Sequence, residues 1–455
     1  MKKGWFLVKD TICAISTSLG VGAISIIRVS GNEAIKIVNK LFQGDNLLQA
    51  DSHTIHYGFI VNNHEKIDEV LVSVMKSPKT FTVEDVVEIN CHGGIETTRK
   101  VLELLIENGC RLAEPGEFTK RAFLNGRIDL MEAESVMDLI NAKNNEARKL
   151  AIKGLNGDNS NVIRRLREKL INIIGNIEVN IDYPEYEDVY EYQAEDLNNN
   201  INDIYNELNK IIDNYHNSEL INYGIKTVIV GRPNVGKSSL LNKLLDEDKA
   251  IVTDIPGTTR DIVEGMVNLD NITLRIIDTA GIRETHDLVE SIGVQKSLES
   301  IDDADLVLVI LNNNEELTKE DQELLEKTKN KKRIIVVNKK DLNKKLNIND
   351  KDIVYTDTVS LEGIDELKNK IKELFNLEEI ATSDYNVLTN QRQISIVKEC
   401  LKMIDEIKES LDNQVEIDLL EMDLKKVWEK LGELIGETYS EELLDELFSR
   451  FCLGK

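Results

Sequence analysis

Along this chain the spacing of apolar residues changes character four times, and each change marks a different kind of structure. In residues 1–122, short runs at 11–16, 22–29, 56–62, 70–75 and 86–90 are rich in Ile, Val and aromatic residues and are bounded by turn formers, which predicts β-strands. Between them, residues 32–41 and 97–108 place apolar side chains three and four apart, which predicts helices and a small α/β domain. From 123 to 218 only the helical period remains, at 130–141, 146–155, 161–178 and 194–215, with DYPEYEDVYEY (182–192) reading as an acidic turn. Residues 219–376 return to strands followed by helices: IKTVIV (225–230) is a continuous apolar run and LLNKLL (240–245) is amphipathic. Helical periodicity resumes over 377–455, at 390–411, 418–435 and 440–451. The expected fold class is therefore α/β plus all-α. It comprises an N-terminal α/β domain at 1–122, a helical domain in two parts at 123–218 and 377–455, and a second α/β domain inserted at 219–376.

Candidate chemistry concentrates in the inserted domain. GRPNVGKS (231–238) sits between the predicted strand and helix with the spacing of a phosphate-binding loop. Glycines let successive N–H groups point at phosphate oxygens, and the helix N-terminus adds positive potential. Lys237 reaches the β- and γ-phosphates and Ser238 supplies a Mg²⁺ ligand, with Asn234, Val235, Gly236 and Ser239 completing the cradle. In AIVTDIPGTTRD, the loop Thr253, Asp254, Ile255, Pro256, Gly257, Thr258 and Thr259 resembles a switch segment, with Thr259 as a Mg²⁺ ligand and sensor of the γ-phosphate. Asp278, Thr279, Ala280 and Gly281 place a carboxylate near the metal's water shell and an N–H near the γ-phosphate. Asn338, Lys339 and Asp341 form an Asn-Lys-x-Asp guanine reader, in which Asp341 accepts from the ring N–H and the amino group. Ser360 is the candidate for a backbone contact to the guanine carbonyl. Four motifs in this order, each after a predicted strand, predict a Ras-like GTP-binding domain. Where Ras-like enzymes carry a water-orienting glutamine, this chain has Ile282, which cannot do that work. Asn234, Glu284, Asp287 and Glu290 are the local alternatives, while Arg260 and Arg283 read as solvated charges.

Length and charge refine this picture. The 455 residues suit about three domains. A formal net charge of −26 argues against a broad basic nucleic-acid footprint, so any RNA contact is local or shared with a partner. Five scattered cysteines lack metal spacing and suit a reducing cytoplasm. Lys9 and Asp10 interrupt any apolar signal core, and no apolar run approaches the roughly 18 residues of a membrane helix. Arg164, Arg165 and Arg167 read as a solvated basic face, with an RNA contact as the alternative. His92 in CHGG is open between a structural and a functional role, and on physical grounds the final FCLGK reads as a frayed tail.

DTICAIS, VEINCHGG, PGEFTKRAFLNGRIDLMEAE, GRPNVGKSS, TDIPGTTRD, DTAGIRET, NKKD and FCLGK together resemble the MnmE (TrmE) family of tRNA-modification GTPases across essentially the whole chain. The resemblance implies an N-terminal domain that dimerises and binds 5-formyltetrahydrofolate or a related one-carbon tetrahydrofolate. It also implies an FAD-dependent MnmG (GidA) partner in a heterotetramer, and modification of the wobble uridine of certain tRNAs. Arg28, Glu88, Arg127 and Lys455 would then contact the folate; Arg127 stands where the family commonly has lysine, and FCLGK replaces FCIGK. The resemblance further implies activation by K⁺ when G domains dimerise. Asn234, carbonyls around Thr253 and Ile255, and Thr258 would hold the ion, with Glu290 orienting the water and Lys237 on the phosphates. The loop before Ser360 is shorter than the family's, and Leu361 replaces its alanine. A second reading is a ribosome-assembly GTPase acting as an rRNA-binding switch; it fits the GTPase motifs but not the N-terminal motifs or FCLGK.

Overall fold

The computed structural model describes residues 10–182, 194–247, 265–269, 272–277, 301–360, 362–375 and 388–455. They fall into two compact units: Met1–Met137, Gly154–Ile201 and Lys402–Lys455 form the first, and Asp138–Lys153 with Asn202–Leu401 form the second.

The first unit is built on a seven-stranded sheet in the order β3-β4-β5-β6-β2-β1-β7. The strands are β1 (Ile12–Ile15), β2 (Ile24–Ser30), β3 (Phe42–Gln43), β4 (Thr54–Asn62), β5 (Glu65–Met75), β6 (Val86–His92) and β7 (Arg111–Leu112). Pairing is antiparallel except at the β1–β7 edge. Alternation along β5 buries Val70, Val72 and Val74 on one face, where they join Val38 of α1 (Ala34–Leu41) and Val101, Leu104 and Leu105 of α2 (Ile95–Glu107). The opposite face carries the cross-strand pair Arg28 and Glu88. Two helices follow, α3 (Glu117–Leu124) and α4 (Leu130–Asn141).

In the helical part of this unit, α6 (Asp158–Asp182) packs along α12 (Ile417–Ile435), and α13 (Glu441–Ser449) meets α3. Leu166, Leu170, Ile173 and Ile177 recur every three or four residues and are buried, as are Leu420, Leu424, Val427 and Leu431. Each such side chain contributes about 1.5–3 kcal/mol by leaving water. Here the expected solvated basic face holds for Arg164 and Arg165, which are exposed, and is corrected at Arg167. Arg167 is buried, its guanidinium 4.0 Å from the centre of the Trp428 ring, donating from Nε to the Trp428 carbonyl and paired with Glu437. Arg164 pairs with Asp129 at 2.7 Å, and Arg165 is exposed.

The reading of FCLGK as a frayed tail is also corrected. The Cys452 carbonyl accepts from the Gly116 N–H, the Lys455 carbonyl from the Phe118 N–H, and the Gly454 carbonyl from the Ser16 hydroxyl at 3.1 Å. Gly454 has φ +87°, and a Cβ there would lie 2.4 Å from the Ile15 carbonyl oxygen, so only glycine fits.

The second unit holds a six-stranded sheet in the order β13-β12-β11-β8-β10-β9. Its strands are β8 (Ile225–Val230), β9 (Gly265–Leu269), β10 (Ile272–Ile276), β11 (Leu306–Asn312), β12 (Arg333–Asn338) and β13 (Ile353–Tyr355). All pairs are parallel except the β9–β10 hairpin. Both faces are covered, which is why β8, β11 and β12 read as continuous apolar runs. Around the sheet lie α8 (Lys237–Glu247), α9 (Lys319–Lys327) and α10 (Ile364–Leu374). The segment 138–153, with most of α5 (Asn145–Leu155), also belongs to this unit, whereas α7 (Ala194–Tyr223) and α11 (Gln391–Asp412) run through both. The chain leaves β8 toward one side of the sheet and returns on the other, so the C-terminal end of β8 is the switch point where open α/β sheets bind ligands.

Candidate functional site

At that switch point β8 ends, α8 begins at Lys237, and the intervening loop faces a cleft of about 460 Å³. Asn234, Gly236, Lys237, Ser238 and Ser239 line one side; Asn338, Lys339, Asp341 and Leu342 line another, with Asp357, Thr358 and Val359 closing it. Gly236 has φ +102°, and a Cβ there would come within 2.0 Å of Asn338 Nδ2, so the loop's approach to the Asn-Lys-x-Asp segment requires glycine. Val235, from the same loop, is buried. Lys237 Nζ donates to the Gly231 and Arg232 carbonyls at 2.8 and 2.9 Å, which holds the ammonium over the loop.

The 231–238 loop and the Asn-Lys-x-Asp segment are bonded to each other. Asn338, at the end of β12 and 1% exposed, donates from Nδ2 to the Val235 carbonyl at 3.0 Å. Lys339, with φ +61°, donates from Nζ to the Asn234 carbonyl at 3.0 Å, and Asn234 itself has φ +63°. Asp341 is exposed and lines the cleft. A further clamp escaped the sequence reading: Arg232 donates from Nε to Asp321 and from Nη2 to Glu315, both at 2.8 Å. Asp321 is also the N3 residue of the capping box that starts α9, so one carboxylate ties that helix to the phosphate loop. The Arg232 bond holds the Glu315 carboxyl below its ordinary range.

Ser360 is not among the residues lining the cleft. Its hydroxyl and N–H both donate to Asp357, and the cleft is reached instead by Asp357, Thr358 and Val359. Thr253, Asp254, Ile255, Pro256, Gly257, Thr258, Thr259, Asp278, Thr279, Ala280, Gly281 and Glu290 lie outside the described residues.

In the first unit, Arg28 and Glu88 face each other in register on β2 and β6, with guanidinium–carboxylate distances of 2.8 Å. Arg28 Nη1 also donates to the Gly454 carbonyl at 3.3 Å, bringing the terminal segment to the pair. Arg127 donates to the Thr80 carbonyl and lies 5.0 Å from the centre of the Phe81 ring. The structure thus joins Arg28 directly to Glu88 and to the Gly454 carbonyl, while Arg127 is held by a different loop.

A family model described as the MnmE helical domain matches residues 130–452, and one described as the GTP-binding protein TrmE N-terminus matches residues 11–127. The tRNA modification GTPase MnmE of Ligilactobacillus salivarius is 50% identical over 456 residues, covering 98% of each chain. That of Bacillus cytotoxicus is 50% identical over 455 residues, covering 98% of this chain and 99% of its own. The chain belongs to the MnmE family. It is a GTP hydrolase acting in tRNA modification.

Three other polar features of this MnmE-family chain were weighed differently or missed from sequence. Arg121 on α3 is 2% exposed and is surrounded by Asp10, Glu84 and Glu117, the last being its i−4 neighbour. Burial pushes the Glu117 carboxyl up, but bonds from Arg111, the Glu114 N–H and Arg121 outweigh it and hold it below the ordinary range. Asp10 is likewise held low against burial by Arg111 and Arg121. His92 is exposed and donates from Nδ1 to the Asp68 carboxylate at 2.7 Å; that bond moves the imidazole up. Burial moves the Cys91 thiol up as well. Among the described residues no group of three or more His, Cys, Asp or Glu is placed to hold a metal ion, and no helix is long and apolar enough to cross a membrane.

Proposed function

We propose that this chain is a K⁺-stimulated cytoplasmic GTPase that acts as a homodimer with an FAD-dependent MnmG/GidA-type partner. In this reading it installs an aminomethyl or carboxymethylaminomethyl group at C5 of the wobble uridine of certain tRNAs. The observation carrying the nucleotide half is the bond from Asn338 to the Val235 carbonyl, which fixes a guanine reader against a phosphate cradle on one cleft. Lys237 neutralises phosphate charge, the cradle N–H groups orient the γ-phosphate, and Asp341 selects the base. The donor set suits hard cations: Ser238 and Thr259 would hold Mg²⁺, and Asn234, Thr253, Ile255 and Thr258 would hold K⁺, all through oxygen. Bound there, the cations supply positive charge at the phosphates that an arginine finger supplies elsewhere. Glu290 orients the attacking water in place of the absent glutamine, since Ile282 has no group to do so. Hydrolysis runs about tenfold or more faster in K⁺ than in Na⁺ at equal ionic strength; equal rates remove the ion from the mechanism.

The folate half rests on Arg28, Glu88 and the Gly454 carbonyl meeting at one place. A pterin edge offers N–H donors that a carboxylate such as Glu88 accepts, and the tail's carboxylates suit Arg28, Arg127 and Lys455. The bound tetrahydrofolate would supply the one-carbon unit. Exposed Tyr57 and Leu71, facing each other across β4 and β5 with Ile55 nearby, support dimerisation through this domain. A ligand of the native state must stabilise it. 5-Formyltetrahydrofolate therefore raises the melting temperature of the wild-type chain and leaves that of Glu88→Ala unmoved; an equal shift in both displaces the folate from this pair.

A further inference from the structure

The segment 138–153 leaves the first unit, touches the GTPase sheet and goes back, and its attachment is unusually specific. Asn144 caps α5, its Oδ1 accepting from the Ala147 N–H at 2.8 Å. Its Nδ2 simultaneously donates to the Ile221 carbonyl at 2.8 Å and to Thr273 Oγ1 on β10 at 3.3 Å. Thr273 Oγ1 donates to Asn268 Oδ1 on β9 at 3.0 Å, and Asn268 Nδ2 donates back to the Lys143 carbonyl at 2.7 Å. Lys143, Asn144, Thr273 and Asn268 thus close a ring, and the two bonds from Asn144, which is 8% exposed, are buried, so losing the partner there is costly.

The ring's position in the chain gives it meaning. β9 follows the AIVTDIPGTTRD stretch and β10 runs directly into Asp278, so, on the function proposed above, this hairpin is the covalent link between the two segments that answer to the γ-phosphate. Lys143 and Asn144, the two residues before α5, are bonded to that hairpin. We propose that Asn144 is the positioning residue through which the nucleotide state of the GTPase sheet is passed to α5, and thus to the helical part of the chain. The coupling needs no residue of the cleft: a shift of β10 changes the acceptor presented to Asn144 Nδ2 and so biases the first turn of α5, whose cap is the same side chain.

Two variants separate coupling from support. Asn144→Ser keeps a good helix cap but loses the donor to Thr273, and Thr273→Val removes the hydroxyl from the other side at nearly constant shape. Hydrogen exchange of the full-length chain is compared in GDP and in a non-hydrolysable GTP analogue. In the wild type, α5 amides 148–153 exchange at rates that differ about fivefold or more between the two states. In both variants that difference falls below about twofold, while the β9–β10 amides keep their response and GTP hydrolysis stays within about twofold of wild type. A merely structural role lowers α5 protection equally in both states and leaves the difference intact, which overturns the proposal. So does an α5 that is indifferent to nucleotide in the wild type, or a hydrolysis rate that falls along with the coupling.

Discussion

Asp341→Asn turns the cleft from a guanine site into a xanthine site. Guanine offers two adjacent donors, the ring N1–H and the 2-amino group, and a carboxylate presents two acceptors to match them. Adenine has an unprotonated ring nitrogen and no amino group at that edge, so the same carboxylate rejects it. With an amide in place of the carboxylate, Oδ1 still accepts from N1–H, but Nδ2 now faces the 2-amino group, donor against donor. Xanthine carries a carbonyl oxygen at that carbon and restores the match. A site built around a specific polar pairing discriminates by about 10³-fold or more when the pairing is broken. The affinity for GDP therefore drops by about that factor while that for xanthosine diphosphate rises to replace it. The phosphate cradle is the internal control, because its bond to the reader runs through Asn338 and Lys339, which the substitution leaves in place. Titration of both diphosphates into both proteins decides the matter, and an unchanged preference for guanine removes Asp341 from the base edge.

Much of this site was legible because its signals are local. A parallel strand buried on both faces reads as a predominantly apolar run, as β8, β11 and β12 do, and the glycine-rich loop directly after β8 stands out against it. On the other side of the cleft, Asn338, Lys339 and Asp341 line it as the sequence reading expected, whereas Ser360 does not. Asp357 accepts from the N–H groups of Val359 and Ser360 and from the Ser360 hydroxyl, an Asx-type turn that draws Ser360 away and leaves Asp357 to Val359 on the cleft. Nothing in VSLEG alone announces that turn. The tail was misread for a different reason: the partners of Gly454 are Ser16 and Arg28, more than 400 positions away in the chain, and no local pattern encodes such a contact. Arg167 repeats the lesson, since the period of α6 marks it as a charge on a helix while Trp428 and Glu437 make it interior. Distant pairing, not unusual composition, is what hid these residues.

The same distant pairing makes Arg121, 2% exposed among three carboxylates, a side chain whose loss is costly to the first unit. Its guanidinium donates to the Asp10 carbonyl at 3.0 Å and to the Asp10 carboxylate at 2.8 Å, and it reaches both oxygens of Glu84 as well as Glu117. Arg121→Leu fills a similar volume with an apolar group but strands partly buried carboxylates, and breaking one side of a buried pair costs about 3–5 kcal/mol. Arg121→Lys keeps the charge without the planar fork and falls between. The pH dependence separates this account from a simple packing defect. Asp10 and Glu117 sit below their ordinary pKa in the folded state, so their stabilising contribution is full above the unfolded carboxylate range and fades as pH falls through that range toward the folded values. In Arg121→Leu both folded values move up toward or past the unfolded ones, so the variant has less of this contribution to lose. Its deficit, read from urea midpoints, is largest near neutral pH and narrows as the medium is acidified below about pH 4. A deficit that is the same at both ends of that range assigns Arg121 to packing alone, and one under about 1 kcal/mol at neutral pH reduces the cluster to the worth of a surface ion pair.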